Sequence, residues 1–442
     1  MKGLPNLALA SMLLALTLPG GSAAREMTLP DCISAAIEAN RGILDKKENL
    51  AQARSGILEA RSGFMPNLSL SGSYNFFEKA QAINFPGMAQ PVEVDFTRDY
   101  SMQLSLTQPI YTGGRLSSSY RISTLSDDIA GADLERQEAD AALSVIQYFY
   151  SLLLARESVK VAEEAIKTAE EFKRVAEARY NAGEASSFEV MRAEVEVSNL
   201  TPALIAARNG VALGELALKN VMSMRADQEV TFVGAFDDKA FEVSLEDAIA
   251  RARDKRPELR MLQNRKRVAA EGLKAAKAGR LPTFALTASY DLFSNALSLE
   301  SDKWEKTYSG FLVMSLPVFD GLRTKSQISR SLSQVRQAEL ALADVADGIE
   351  LQVRSFMLER EAASERLRSQ EKTVEMAQEG LKIANDRYVQ GVATNLEVMD
   401  AQLALTQTRN YLLQALHDLN LATANLKRAM GVLLDDYSKP QE

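Results

Sequence analysis

An internal repeat constrains this chain more than any other feature of its sequence. Residues 28–33 resemble residues 244–249, which lie 216 positions later, and further matches at this offset pair Pro66 with Pro282 and Tyr74 with Tyr290. Later in each half the offset is 208, and there 109–113 resemble 317–321 and 179–183 resemble 387–391. The repeat is much longer than the unit of a solenoid protein. The sequence therefore predicts a duplicated half rather than a repeat array.

The repeat and the N-terminus together predict five segments. Lys2, the apolar run 7–18 and the small residues 22–24 are typical of a secretory signal peptide. We therefore expect a mature chain that leaves the cytoplasm. The five segments are a signal peptide at 1–24, a first repeat at 25–225, a linker or equatorial segment at 226–242, a second repeat at 243–431 and a C-terminal tail at 432–442.

Each half contains two runs of about ten residues in which apolar and polar side chains alternate. Leu68 to Phe76 and Tyr100 to Leu106 carry this pattern in the first half, and 284–292 and 308–316 repeat it. A period of two predicts strands with one apolar and one polar face, arranged as hairpins at about 67–109 and 283–316. Ten residues cross a bilayer as a tilted strand, although a soluble sandwich has strands of similar length. Aromatic residues near the loop ends suggest an interfacial girdle of Phe76, Phe77, Phe96, Tyr100, Phe293, Trp304 and Tyr308.

The rest of each half is predicted to be helical. No proline interrupts 115–182 or 322–390, and helices of about 65 residues are roughly 100 Å long. Shorter helices are predicted at 186–225 and 394–430. In the last of these a seven-residue spacing relates Val398, Leu405, Leu412, Leu419 and Leu426. This spacing favours coiled-coil packing, and the helices taken alone favour an ordinary soluble coiled coil.

Four strands per chain are too few for a closed membrane barrel. A sheet in a bilayer has to close so that no edge remains, and the smallest membrane barrels use eight strands. The strands of several copies therefore have to combine, and a trimer would supply twelve. We expect a mainly helical fold with transmembrane β-structure, in which a trimeric 12-stranded barrel is continued by a long periplasmic barrel of coiled-coil helices.

Composition argues against other classes of function. The net charge is −8 with acidic and basic residues interspersed, so no nucleic acid partner is expected. The chain has one cysteine, Cys32, and one histidine, His417, and neither belongs to a metal-ligand or nucleophile–base pattern. We expect Cys32 to be buried and His417 to lie on a solvated helix face. The sequence predicts no metal, no cofactor and no enzymatic activity.

The duplicated plan of hairpins and long helices resembles the TolC-like outer-membrane efflux proteins. The motif 108–114 and the turns 179–183 and 387–391 carry the resemblance, which extends over about 27–435. It implies an outer-membrane homotrimer that extends into the periplasm and meets outer-membrane lipid. It also implies a passive exit duct for tripartite efflux or type I secretion, with a periplasmic adaptor and an inner-membrane RND or ABC pump as partners. The alternative from another class is a periplasmic coiled-coil adaptor.

The resemblance also implies roles for residues around the two helix turns. Turn residues Ala182, Gly183, Gly391 and Val392 would form tips that dock the adaptor. Tyr388 and Arg387 are candidates for a gate latch. Three acids after the turns are candidates for a cation-binding ring at the aperture, namely Glu397, Asp400 and Glu189. Equally, these acids are solvated carboxylates that complement a helix N-terminus.

Overall fold

The computed structural model describes residues 25–76, 78, 81–83, 92–94, 98–237, 241–294, 297 and 300–437. The predicted signal peptide, the girdle candidates Phe77 and Phe96, and the end of the tail lie outside the described residues. The order of elements follows the duplicated plan. The elements are β1 (Arg25–Met27), α1 (Leu29–Ala39), α2 (Arg41–Ser62), β2 (Asn67–Phe76), β3 (Gln81–Ile83), β4 (Val92–Val94), β5 (Arg98–Tyr111), α3 (Arg115–Asn181), α4 (Ser187–Val221), β6 (Val230–Phe232), α5 (Leu245–Lys255), α6 (Pro257–Ala278), β7 (Thr283–Ser294), β8 (Glu305–Ser315), α7 (Arg323–Val389) and α8 (Asn395–Ala429).

The four long strands form one antiparallel sheet in the order β2-β5-β7-β8. The two hairpins have the same register: Tyr74 lies opposite Tyr100 in the first, and Tyr290 lies opposite Tyr308 in the second. These residues are related by the offsets 216 and 208 of the sequence repeat. The repeat therefore extends to individual residue pairs.

The fourteen-residue strand β5 continues through Pro109, where the sequence alone suggested that the strand would end. Its pairing with β7 shifts between Pro109 and Tyr111. Pro109 still lies opposite Ala285, and Ile110 is the residue left out of this register, so the irregularity directly follows the proline, as is common where proline occurs within a sheet. In the second half β8 stops at Ser315, before Pro317.

The helices have matched lengths in the two halves. α3 and α7 contain 67 residues each, and α4 and α8 contain 35 each. In α8 the predicted seven-residue spacing is buried at Val398, Leu405, Leu419 and Leu426. Within the described part of the chain, no helix is both long enough and apolar enough to cross a membrane.

The chain divides into two compact units. The first contains the described residues of Met1–Glu38, Ser144–Asp238 and Ser369–Asn420, and the second contains those of Ala39–Leu143, Lys239–Arg368 and Leu421–Glu442. Three of the boundaries fall inside the long helices α3, α7 and α8. Each unit consequently draws on both sequence repeats.

The first unit contains the parallel pair β1–β6, where Met27 lies opposite Phe232. Gly234 follows β6 and lies so close to the Phe149 ring that a Cβ there would be 2.8 Å from it. Cys32 is fully buried, as expected, and its burial, with the nearby Asp31 charge, raises the pKa of the thiol to about 12. The expectation for His417 is wrong: its side chain is only 12% exposed and lies 3.4 Å from the Ser151 hydroxyl.

The second unit contains a buried ion cluster beside its apolar core. Arg428 of α8 lies 2.7 Å from Asp140 of α3 and 2.9 Å from Glu258 of α6. Arg256 also contacts Glu258 at 3.0 Å. Burial alone would raise the pKa of Glu258, but the hydrogen bond from Arg256 and the charge of Arg428 lower it to about 2. Arg428 therefore joins α3, α6 and α8, and the Glu258 carboxylate that it contacts stays ionised.

Candidate functional site

The two turns between paired helices have the same backbone geometry. Gly183 and Gly391 have φ values of +79° and +77°, and a Cβ at either position would meet open space. Glycine is therefore required for its left-handed conformation rather than for room. In each turn a backbone N–H reaches back past the glycine, from Glu184 to the Arg179 carbonyl at 2.8 Å and from Val392 to the Arg387 carbonyl at 3.0 Å.

Polar caps start the helices that follow the turns. The Ser186 hydroxyl accepts a hydrogen bond from the Glu189 N–H at 3.4 Å. In the second turn Thr394 and Glu397 form a reciprocal capping box, in which the Thr394 N–H donates to the Glu397 carboxylate at 3.2 Å. Glu397 also lies 3.7 Å from Arg387. The Glu397 carboxylate therefore has local structural partners within its own turn.

Tyr388 connects the second turn to the first. Its side chain is buried, and the Arg179 guanidinium lies 5.2 Å from the centre of its ring. The hydrogen bond to Tyr388 raises the pKa of Arg179, and the charges of Glu189 and Glu184 add to the effect. A guanidinium on an aromatic face is a cation–π contact. The structure thus pairs Tyr388 with Arg179 of α3, whereas Arg387 pairs with Glu397.

The remaining candidates are distributed around these contacts. Ala182, Gly183, Gly391 and Val392 are exposed at the two turns. Asp400 is exposed one turn of helix after Glu397, and Glu189 is half-buried. Sequence analysis missed Arg179, although the repeated Arg-Tyr pair at 179–180 and 387–388 was a usable signal.

The sheet of the second unit has one polar face with hydrogen bonds between strands. Serine pairs join β2 to β5, with 2.7 Å between the hydroxyls of Ser69 and Ser105. Gln103 of β5 donates to Asp291 of β7 at 2.7 Å. Two apolar side chains of β8 interrupt this face, because Phe311 lies opposite Thr287 and Val313 lies opposite Ala285. The polar face is therefore less uniform in the second half than in the first.

The other face of the sheet is apolar, with aromatic residues near its loop end. Tyr74 and Tyr100 stack with their ring centres 4.7 Å apart, and Tyr308 is 85% exposed. Phe293 lies on the opposite, polar face, since it pairs with Ser101. Its inclusion in the predicted girdle is wrong, because adjacent residues of a strand point to opposite faces.

Comparison with known proteins places these features in a family. A family model described as "Outer membrane efflux protein" matches residues 32–223 and 248–432. The outer membrane efflux protein BepC of Brucella suis biovar 1 is 23% identical over 435 residues, which cover 98% of this chain and 92% of BepC. The outer membrane protein TolC of Escherichia coli is 23% identical over 395 residues, which cover 85% of this chain and 76% of TolC.

The fold is also found in a solved structure. The outer membrane protein VceC of Vibrio cholerae superposes with a TM-score of 0.78 at 17% identity, over 91% of this chain and 96% of VceC. Paired long helices and a strand hairpin, each present twice, together with the family match, define a channel protein of the outer membrane. The chain belongs to the outer membrane efflux protein family. It is a passive channel protein and not an enzyme, and the adaptor alternative is wrong.

Proposed function

We propose that this chain is one protomer of a homotrimeric exit duct that conducts cargo passively from an envelope pump to the outside. The four-stranded sheet with unpaired edges at β2 and β8 carries this proposal. Such edges cannot remain open in a bilayer, and three copies supply the twelve strands of a closed barrel. The polar face would line the lumen, and the long helices would continue the duct into the periplasm.

The partners follow from the same architecture. A passive duct needs an energy source elsewhere, so an inner-membrane RND or ABC pump and a periplasmic adaptor would complete the pathway. The exposed turns with Ala182, Gly183, Gly391 and Val392 support docking of the adaptor at the helix tips.

Contacts between the turns support a gate. The Arg179–Tyr388 contact joins the two turns of one protomer, and Arg387–Glu397 stabilises the second turn. We propose that Tyr388 and Arg387 act in the latch through these two contacts, with Arg179 as the partner of Tyr388. Opening would then require Tyr388 to leave the Arg179 guanidinium.

The acids after the turns support a ring that binds cations in the trimer. Asp400 is the strongest candidate because it is exposed, whereas Glu397 has partners in its own turn and Glu189 is half-buried. Three carboxylates around a narrow opening favour cations. Under the alternative, these acids serve only the local helix N-terminus.

The mass of the unheated, detergent-solubilised outer-membrane protein tests the duct. A species near three times the mature chain mass, with conductance in planar bilayers, is the expected result. A monomer, or protein that leaves the envelope without detergent, would contradict the shared barrel.

A further inference from the structure

In the first sequence repeat, an added strand covers the middle of the long helix α3. This strand is β6, which pairs in parallel with β1, and the Val233 N–H that follows it donates to the Met27 carbonyl at 2.9 Å. Phe232 ends the strand and is 1% exposed, and its carbonyl accepts a hydrogen bond from the Arg156 guanidinium of α3. The strand is thus held by its backbone, by one large apolar side chain and by one arginine.

The second repeat has a segment that corresponds to β1 but no strand that corresponds to β6. The 216 offset relates β1 to residues 241–243, which pair with no strand in the described part of the chain. The 208 offset relates β6 to residues 438–440, which lie outside the described residues. There Pro440 takes the position of Phe232, and proline has no N–H to donate to a strand ladder. The sequence of this segment is therefore a poor substitute for β6.

A groove lies beside residues 241–243, where the repeat would place such a strand. It has a volume of about 400 Å³, and one face of α7 that includes Met357 and Ser364 forms its opposite wall. Through the 208 offset these two residues correspond to Phe149, which packs against the chain just after β6, and to Arg156, which donates to β6. The groove therefore occupies the position that β6 fills in the first repeat.

The exposure of corresponding side chains agrees with a covered site in one repeat and an uncovered site in the other. Met27 and Phe149 are 3% and 2% exposed in the first repeat. Their counterparts Val243 and Met357 are only half-buried, although both pack against the apolar core of the second unit. Among the described residues, nothing covers the second site in the way that β6 covers the first.

Arg360 is the group in the groove that most requires a partner. It lies one helical turn before the counterpart of Arg156. Its guanidinium is 5.9 Å from the centre of the Phe241 ring, but its Nε atom is buried and has no hydrogen-bond partner in the described part of the chain. Burial lowers the pKa of Arg360, and the charge of Glu242 only partly offsets this effect. A backbone carbonyl of an added strand would supply the missing acceptor.

The rim of the groove is acidic. Glu361 and Glu365 are exposed on consecutive turns of α7, and neither forms an ion pair with a described residue. When a carbonyl satisfies Arg360, the other charged groups that line the groove are these two acids, Glu242 and Arg368. Acids then outnumber bases, so the rim favours a basic side chain on the segment that binds.

We propose that this groove accepts an extended segment of a partner protein, which adds to residues 241–243 as a parallel strand in the way that β6 adds to β1. The segment has a large apolar side chain at the position of Phe232, packed towards Met357, and a basic residue two positions earlier on the same face. In strand addition, main-chain hydrogen bonds provide affinity and side-chain pockets provide specificity. The inference is independent of the exit duct, because every residue of the groove belongs to one compact unit of one chain.

A synthetic peptide provides the first test. Its sequence is that of residues 230–236 with Val230→Lys, which places a basic residue two positions before the phenylalanine. Fluorescence anisotropy should show saturable binding of the labelled peptide to the full detergent-solubilised protein, and Arg360→Ala should weaken this binding about tenfold. The control peptide carries Phe232→Ser in addition. Absence of binding, or equal binding of the two peptides, would overturn the proposal.

A reversal of charge gives a readout that a folding defect does not reproduce. Glu361→Lys together with Glu365→Lys should weaken the basic peptide about tenfold and should make the protein prefer a peptide with Val230→Glu. Glu371→Lys, which changes an exposed acid further along α7, is the matched control and should leave both affinities unchanged. If the double variant does not prefer the acidic peptide, the proposed recognition is wrong.

Two further measurements distinguish a partner protein from other occupants. Removal of residues 438–442 is expected to leave the affinity for the basic peptide unchanged. A rise of about tenfold would mean that the tail itself occupies the groove, and it would overturn the proposal. Peptide binding that appears only after dissociation into single chains would assign the groove to a second copy of this chain, which would overturn it as well.

Discussion

At the residue scale, the Arg179–Tyr388 contact is the most specific feature of the helix turns. Tyr388 is 6% exposed and contacts the guanidinium of Arg179 in the other repeat. Tyr180, which corresponds to Tyr388 in the first repeat, is 49% exposed. The duplicated Arg-Tyr pair is therefore used asymmetrically. This asymmetry indicates that Tyr388, rather than Tyr180, acts in the gate.

Removal of the Tyr388 ring is expected to favour the open duct. A cation–π contact contributes about 0.5–1 kcal/mol, so its loss in three protomers predicts a rise of about ten- to a hundredfold in open probability for Tyr388→Leu. Single-channel recording in planar bilayers measures this effect. Tyr180→Leu is the control, and the same rise in both variants would argue against the latch.

Removal of the acids is expected to weaken block by divalent cations. Asp400→Ala together with Glu397→Ala should raise the Mg²⁺ concentration for half-block of the current by about tenfold, because the opening loses its carboxylate rings. Glu379→Ala removes an exposed acid of α7 that pairs with Lys382, and it serves as the control. If block by Mg²⁺ is unchanged in the double variant, these acids do not form a cation-binding ring and only complement the helix N-terminus.

At the element scale, ions and glycines determine how the helices are joined and ended. The cluster around Glu258 joins α3, α6 and α8, and the glycine turns end α3 and α7. The ion cluster and the glycine turns both depend on where the helix backbones place their residues. Their energies can be tested one at a time.

Glu258→Gln is expected to destabilise the protein in a pH-dependent way. The folded pKa of about 2 is below the unfolded value near 4.3, so the ion cluster stabilises the fold above about pH 4. That contribution, on the order of 3 kcal/mol, is lost as the pH falls from about 4 towards 2. Melting temperatures of the wild type and the variant should differ at pH 7 and converge near pH 2, and a constant difference would contradict the assignment.

Glycine-to-alanine substitutions are expected to have opposite effects at two positions of the second repeat. Gly391→Ala should destabilise the protein by about 1 kcal/mol, because alanine is strained at a φ of +77°. Gly380 lies inside α7 with open space around it, and Gly380→Ala should stabilise by about 0.5–1 kcal/mol through helix propensity. Melting temperatures measure both changes, and shifts of the same sign would refute the explanation.

At the scale of the whole molecule, the exposed turns are expected to meet the adaptor. A photo-reactive amino acid at Ala182 or Val392 should cross-link the adaptor in an intact envelope. The same probe at Leu340, which is 71% exposed in the second unit, is the control. Absence of an adduct from both turns, or an equal yield from Leu340, would count against docking at the tips.

The sequence by itself determined the features that depend on nearby residues. Period-two alternation located the four strands, the absence of proline located the 67-residue helices, and the glycines located both turns. The duplication then showed that these elements occur twice. Each of these signals arises within a few residues, because side-chain direction, helix continuity and left-handed backbone are local properties.

Only the tertiary structure decided which distant segments meet. Three features depend on segments far apart in the sequence: Arg179 as the partner of Tyr388, the path of β5 through Pro109 and the partial burial of His417. The alternation pattern predicted the strand that contains Phe311, but it did not predict that this strand lies at an open edge of the sheet. Alternation assigns a residue to a face, but strand order and register arise from packing of the whole chain.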